Sequence, residues 1–189
     1  MCIRDREETP WLADHVVGDQ ALSPATGMIM MALEAVKQHF QTDQMILGYN
    51  IKEATFMNPI VVSSEPKSKT EVVTQLRPLR QEYEKTSTRS EVRIFARSDS
   101  EWIECVRAEV HVDYEETATE VDCGLEARAH AKALLDSYVA AEEQCTRPIS
   151  KTDFYDWHKN QGLKYGKAFA LADNIRWDGD ELGLSLIHI

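Results

Sequence analysis

The sequence is poor in several things that whole classes of protein depend on. Cysteine is scarce, four residues in 189, and no CxxC or HExxH spacing occurs. That argues against a disulfide framework and leaves no metal site in prospect. Positive charge is outnumbered, with 21 Lys plus Arg against 32 Asp plus Glu and a formal net charge of −11. A surface so negative repels phosphate backbones and acidic lipid faces, which excludes nucleic acid and membrane as first expectations for a partner. The longest apolar run, Met28 to Leu33, falls far short of the ~20 residues that a membrane span needs. No charged segment precedes an apolar one at the start, so no secretory signal is read and a cytoplasmic setting is expected. What is present is 43% hydrophobic residues, enough for one good core or one and a half small domains.

Both ends read as something other than protein. The last six residues, Leu184 to Ile189, spell LSLIHI, which the codons CTG TCT CTT ATA CAC ATC encode. The reverse complement of that DNA followed by T, read from its ATG, gives Met-Cys-Ile-Arg-Asp and then Arg or Ser. That is the sequence of Met1 to Arg6. One inverted element at both ends is the mark of a sequencing adapter, and residues 1–6 and 184–189 are set aside on that ground. The expectation is a fragment whose natural chain continues at both ends. Removing residues 1–6 takes the charge to −12 and Cys2 out of the count, while His188 leaves with the other end.

Pro24 to Phe40 is the clearest helix, with Ser23 as candidate N-cap and Pro24 in the first turn. Apolar residues nearly all round Met28–Val36 imply burial on most sides, with Met28, Met30 and Met31 as core. Gly27 would admit close approach by a strand or ligand. Strand-like segments come next at Met45–Phe56, Glu71–Leu79, Arg89–Arg97 and Trp102–Tyr114. Alternation is clean in Ser90–Ala96 and Val106–Val112, as expected of strands with one wet face. Turn chemistry lies at Asn58-Pro59 and in Ser63–Lys69. One helix and four antiparallel strands make an α+β arrangement, a sheet wrapped around a helix. Residues 7–115 are assigned to that unit and 116–148 to an acidic linker with an Ala-rich helix. Residues 149–183 are assigned to a second unit, with Ser150 or Thr152 capping its helix, Gly162 ending it, and a strand through Gly166–Trp177.

His15 is the leading candidate for chemistry. It lies nine residues before the proline that opens the helix, on a short strand-like stretch leading to the helix N-terminus. Backbone N–H groups and the positive end of the helix dipole gather there, suited to a developing oxyanion. A neutral imidazole beside such donors can remove a proton alpha to a thioester carbonyl. Spacing alone favours a half-buried surface histidine followed by a proline that merely starts a helix.

The stretch PWLADHVVGDQALSPATGMIMMALEA resembles the opening of the dehydratase domain of polyketide synthases, particularly the highly reducing fungal kind. In that family's motif, HxxxGxxxxP, the histidine is catalytic. His15 and Pro24 match in spacing, but Asp19 stands at the glycine position and Gly18 lies one residue early. The resemblance continues in ILGYNIKEATFMNPIVV and in EVRIFARSDSEWIECVRAEVHVDYE. It ends in FYDWHKNQGLKYGKAFALADNI, with a Tyr-Gly-x-x-Phe element at Tyr165, Gly166 and Phe169. It spans about residues 9–180. It implies a double hot-dog fold, the first complete and the second truncated, that removes water from a β-hydroxyacyl thioester. His15 would take the alpha proton, with Gly18, Pro24, Gly27, Tyr165 and Gly166 along the substrate. No dissociable cofactor is implied, because the substrate rides on the phosphopantetheine arm of an acyl carrier protein. The implied partners are that carrier, the other domains of the same synthase and a second copy in a parent homodimer.

The family's acid, an aspartate in an HPxxLDxxxQ-like segment, has no counterpart here. Asp153, Asp156, Asp173, Asp178 and Asp180 all lie outside such a motif. The fragment is therefore expected to be inactive by itself. Alternatives are a product-template domain of the same fold, and a non-catalytic hot-dog scaffold, which Asp19 favours. Tyr155 and Tyr165 are read as packing before channel lining, and Cys105 as core before nucleophile. His39, His111, His130 and His158 are read as surface or cap residues.

Overall fold

Alternation and capping account for most of the architecture of the computed structural model, which describes residues 2–3, 9–40, 45–62, 70–79, 88–98, 100–114, 125–179 and 185–188. The chain divides into two compact units, 1–115 and 116–189. In the first, β1 (Cys2–Ile3) is followed by one 3-10 turn, Pro10–Asp14, and a small hairpin of β2 (His15–Val17) and β3 (Gln20–Ala21). Then come α1 (Ala25–His39), β4 (Ile46–Phe56), β5 (Thr70–Leu79), β6 (Arg89–Ser98) and β7 (Glu101–Tyr114). The five-stranded sheet runs β1-β5-β6-β7-β4, every pair antiparallel. This is the α+β hot-dog arrangement, one sheet laid on one helix.

The inward residues of the strands form the core. Val92, Ile94 and Ala96 of β6, Val106, Ala108, Val110 and Val112 of β7, and Val72 of β5 are buried with Met28, Met31, Ala32 and Val36 of α1. The outward face is charged. Arg93 pairs with Glu91 at 2.8 Å, Arg107 with Glu104 at 2.9 Å and Arg97 with Glu71 at 2.7 Å, and Arg89 pairs with Glu109. Glu91 faces Glu109, and Arg93 faces Arg107, directly across β6 and β7. Like charges so placed repel, and the ion pairs to other neighbours offset that repulsion.

Two expectations about α1 need correction. Met30 is 62% exposed, so the helix buries a single stripe at the spacing i, i+3, i+4, i+8 rather than most of its surface. Its N-cap is Pro24, with no side-chain cap. Ser23 is taken up elsewhere, its N–H donating to the Ile60 carbonyl at 2.9 Å. Lys37 and His39 in the last turn complement the dipole.

A bulge interrupts β7. Ile94 pairs with Val106 but Phe95 pairs with Glu104, so Cys105 is the extra residue and turns inward together with Val106. Its carbonyl accepts the Met57 N–H at 2.8 Å, and the Asn58 side chain donates to the Glu104 carbonyl at 2.8 Å. The turn after β4 thus satisfies the backbone groups that the bulge releases.

The second unit contains α2 (Leu125–Gln144), β8 (Arg147–Ile149), α3 (Lys151–Asn160), β9 (Leu163–Tyr165), β10 (Asp173–Trp177) and β11 (Ser185–His188). Strands β11, β10 and β8 form an antiparallel sheet in that order. Ser150 caps α3, accepting the Asp153 N–H at 3.1 Å. Gly162 succeeds the helix at φ +89°, the left-handed position glycine fills at no side-chain cost. The strand expected over Gly166–Trp177 begins only at Asp173. Before it, the Gly166 carbonyl accepts the N–H groups of Phe169 and Ala170 at 3.0 and 2.9 Å and closes a turn. The acidic stretch at 115–122 and the turn at 63–69 lie outside the described residues. No helix of the described residues is long and apolar enough to cross a membrane.

Candidate active site

The hairpin of β2 and β3 has a two-residue loop. Val17 pairs with Gln20 and Val16 with Ala21, leaving Gly18 and Asp19 at the tip. The Leu22 N–H donates to the His15 carbonyl at 2.9 Å, and the His15 ring comes back to the same residue, with Nδ1 2.9 Å from the Leu22 carbonyl oxygen. A carbonyl only accepts, so Nδ1 carries the hydrogen, and in the neutral ring the lone pair then lies on Nε2. His15 is half-buried. One backbone carbonyl fixes both the ring's direction and its basic nitrogen.

The hairpin is anchored to residues 60–62, just beyond β4. Leu22 bridges Val61, Val62 N–H donates to the Ala21 carbonyl at 2.8 Å, and Ser23 is held by Ile60. Pro24 is buried and α1 starts at the next residue. His15, Gly18, Pro24 and Gly27 therefore share one junction of hairpin and helix start. Gly18 lies exposed at the loop tip. At Gly27, an added Cβ would meet the Pro24 ring at 3.4 Å and the Ser23 hydroxyl at 3.6 Å, so its neighbours there are the chain's own residues.

Tyr165 and Gly166 belong to the second unit. Tyr165 sits among rings, with Tyr155 at 6.3 Å edge-on, His158 at 6.0 Å and Phe169 stacked at 6.5 Å. The Tyr155 hydroxyl accepts the Ala172 N–H at 2.8 Å. Packing explains both tyrosines. His158, expected at the surface or in a cap, lies in the last turn of α3, half-buried in this cluster, and its Nδ1–H donates to the Phe154 carbonyl at 2.8 Å. His111 is also half-buried, with Nε2 2.7 Å from the Thr88 hydroxyl. His39 and His130 are exposed.

Cys105 is 1% exposed, and burial pushes its thiol up from the ordinary range. Such a thiol is a small apolar side chain and no nucleophile. Asp153 accepts from the Ser150 hydroxyl at 2.7 Å, and Asp173 accepts the Asn174 N–H at 2.8 Å, so both serve local backbone geometry. Asp180 lies outside the described residues. A hollow of about 250 Å³ opens on the charged face of the sheet between Glu53, Thr55, Met57, Glu91, Arg107 and Glu109. The hydrogen bond from Arg93 holds the Glu91 carboxyl below its usual range, which commits that group to ion pairing. None of these residues belongs to the hairpin. Among the described residues, no three His, Cys, Asp or Glu side chains are grouped as metal ligands.

The residue that sequence reading misses is Leu22. It acts through a backbone oxygen, which leaves no side-chain signature. The signal that could have found it is the pair of short strand-like runs, HVV and QAL, around Gly-Asp.

Comparison with known proteins places this geometry in context. A family model described as "Polyketide synthase dehydratase domain" matches residues 4–97, and one described as "Polyketide synthase dehydratase N-terminal domain" matches residues 135–186. A highly reducing polyketide synthase of Gibberella zeae is 32% identical over 183 residues, 97% of this chain and 7% of that protein. A reducing polyketide synthase of Alternaria solani is 27% identical over 91% of this chain and 8% of that protein. The chain thus spans less than a tenth of the length of these relatives. Among solved structures, the dehydratase domain from the CurK module of the curacin polyketide synthase matches with a TM-score of 0.66 at 18% identity, covering 92% of this chain and 52% of that one. The dehydratase domain of PpsC from Mycobacterium tuberculosis matches with a TM-score of 0.63 at 22% identity, covering 92% and 51%.

Proposed function

The chain belongs to the polyketide synthase dehydratase family, and from that premise we propose that His15 is the general base of a β-elimination on an acyl thioester. The observation that carries this reading is the Nδ1 contact to the Leu22 carbonyl, which leaves Nε2 as the basic atom. In the reaction, Nε2 takes the proton from Cα of a β-hydroxyacyl group. The electron pair forms the Cα–Cβ double bond, the Cβ–O bond breaks, and the leaving hydroxyl takes a proton from a carboxylic acid to depart as water. The step needs no oxidant or metal. That acid is read as the aspartate of an HPxxLDxxxQ-like segment, and the complete domain is the unit expected to turn over. Base and acid must hold opposite protonation states near neutral pH.

Gly18, Pro24 and Gly27 shape the ground beside the base, and the N–H groups at the start of α1 favour the negative charge that develops on the thioester oxygen. The acyl group arrives on the phosphopantetheine arm of an acyl carrier protein from the same synthase, in a cytoplasmic homodimer. Asp19 at the motif glycine favours a second reading, a hot-dog scaffold without chemistry.

One experiment separates the two. The gene is extended past residue 183 to the end of the domain, and dehydration of a β-hydroxyacyl thioester is followed by mass spectrometry. His15→Ala in that domain is expected to lower the rate by at least ~10²-fold, the scale of a general base, with the circular dichroism spectrum unchanged. Equal rates for parent and variant, or no rate in either, would favour the scaffold.

A further inference from the structure

We propose that Gly18 is a positioning residue whose backbone angle holds the β2–β3 loop in the register that orients the His15 ring. Its catalytic meaning rests on the dehydratase reading above, but the structural part stands on the hairpin alone. The β2–β3 loop holds two residues, since Val17 pairs with Gln20. Gly18 has φ +63°, and among the described residues the only non-glycine with positive φ is Asn174. Asp19 is therefore at negative φ. Positive at the first loop position and negative at the second is the sign pattern of a type II′ turn, whose twist suits a two-residue hairpin and whose first position calls for glycine. A glycine at position 19 would serve a turn that is left-handed at its second position, as type I′ is at both. A glycine at the first loop position keeps Val17 paired with Gln20 and Val16 with Ala21.

Register is what the histidine needs. Four residues separate the end of β2 from Leu22, and the His15 carbonyl and His15 Nδ1 both meet Leu22, each at 2.9 Å. A slip or opening of the loop removes both contacts together and frees the ring to carry its hydrogen on either nitrogen. Gly18 is not needed for space, because an added Cβ would meet nothing within 4 Å. The constraint is the backbone angle itself, which an L side chain disfavours. The departure at Asp19 is thus offset locally, which weakens without removing the support it gives to the scaffold reading.

The test reads the imidazole and not turnover, so its failure is distinct from failure of the dehydratase reading. The 189-residue chain is labelled with ¹⁵N, and the long-range ¹H–¹⁵N spectrum above neutral pH reports the ring tautomer, with His15 assigned by loss of its signals in His15→Gln. The parent is expected to show Nδ1–H. Gly18→Ala is expected to lower the ratio of held to released rings by about five- to thirtyfold, the scale of placing an L residue in the left-handed region. Gly18→Asn combined with Asp19→Gly supplies the pair that a type I′ turn prefers and is expected to restore the parent signal. An unchanged ratio of the two tautomers in Gly18→Ala would overturn the proposal. So would a double variant that folds without the Nδ1–H tautomer, or that fails to fold. If Gly18→Ala itself does not fold, the double variant decides alone.

Discussion

Cys105 and His15 show how differently two reactive residue types are treated within one unit. The Cys105 thiol is buried in the core, and desolvation raises its pKa. A raised pKa means that the folded state binds the proton more tightly than the unfolded one. The stabilisation is complete below the unfolded thiol's ordinary value of about 8.5 and is lost as pH rises towards the folded value. Iodoacetamide at pH 8 is accordingly expected to label Cys105 at least about a hundredfold more slowly in the native chain than in denaturant. Peptide mapping by mass spectrometry reads the two rates, and equal rates would show that the thiol is accessible. His15 stands out in the sequence through the family motif it matches, because its spacing to Pro24 alone fits a surface histidine better. Leu22 does not stand out, because a carbonyl oxygen is common to every residue and only the fold selects which one a ring meets.

Elements are legible where a side-chain period is long enough to read. The alternation of Ser90–Ala96 and Val106–Val112 marks β6 and β7, and both strands end near the expected positions. At Cys105 the period breaks, because a bulge adds one residue without changing residue type. Three-residue β8 carries too little pattern to see. Composition overstates the burial of α1, because it shows that a face is apolar without showing that anything covers it, as Met30 demonstrates. Capping is readable because it is chemical and local. The Ser150 hydroxyl accepts the Asp153 N–H and its carbonyl accepts the Phe154 N–H. Ser150→Ala removes the first, together with the hydroxyl's bond to the Asp153 carboxylate, and leaves the second, at a cost of ~1 kcal/mol. The expected result is about fivefold faster hydrogen exchange at the Asp153 amide, with α2 unaffected. Unchanged exchange at Asp153 would mean that the cap contributes nothing to α3.

At the scale of the whole chain, the two units differ in how much apolar surface they bury. Every member of the buried core cluster lies between Met28 and Val112, within the first unit. Among the described residues of the second, the buried apolar side chains are Cys145 and Ile175. Leu134 and Leu135 of α2 are 60% and 62% exposed, and Tyr138 and Val139 are exposed beside them. Burial of apolar area is what offsets the entropy of ordering a chain, at roughly 25 cal/mol per Å². Two buried side chains cannot order a unit the length of 116–189 on that scale. The order of helix and strands makes the first hot-dog readable from sequence, whereas the second offers one cap, one glycine and an aromatic element, which are local signals without a core. Residues 7–115 expressed alone are therefore expected to give a sheet-type circular dichroism spectrum and one cooperative thermal transition. Residues 116–189 alone are expected to show none. A cooperative transition in the second piece would mean that its stability comes from something other than the burial seen here. A first piece without one would mean that α1 and its sheet need the second unit to hold together.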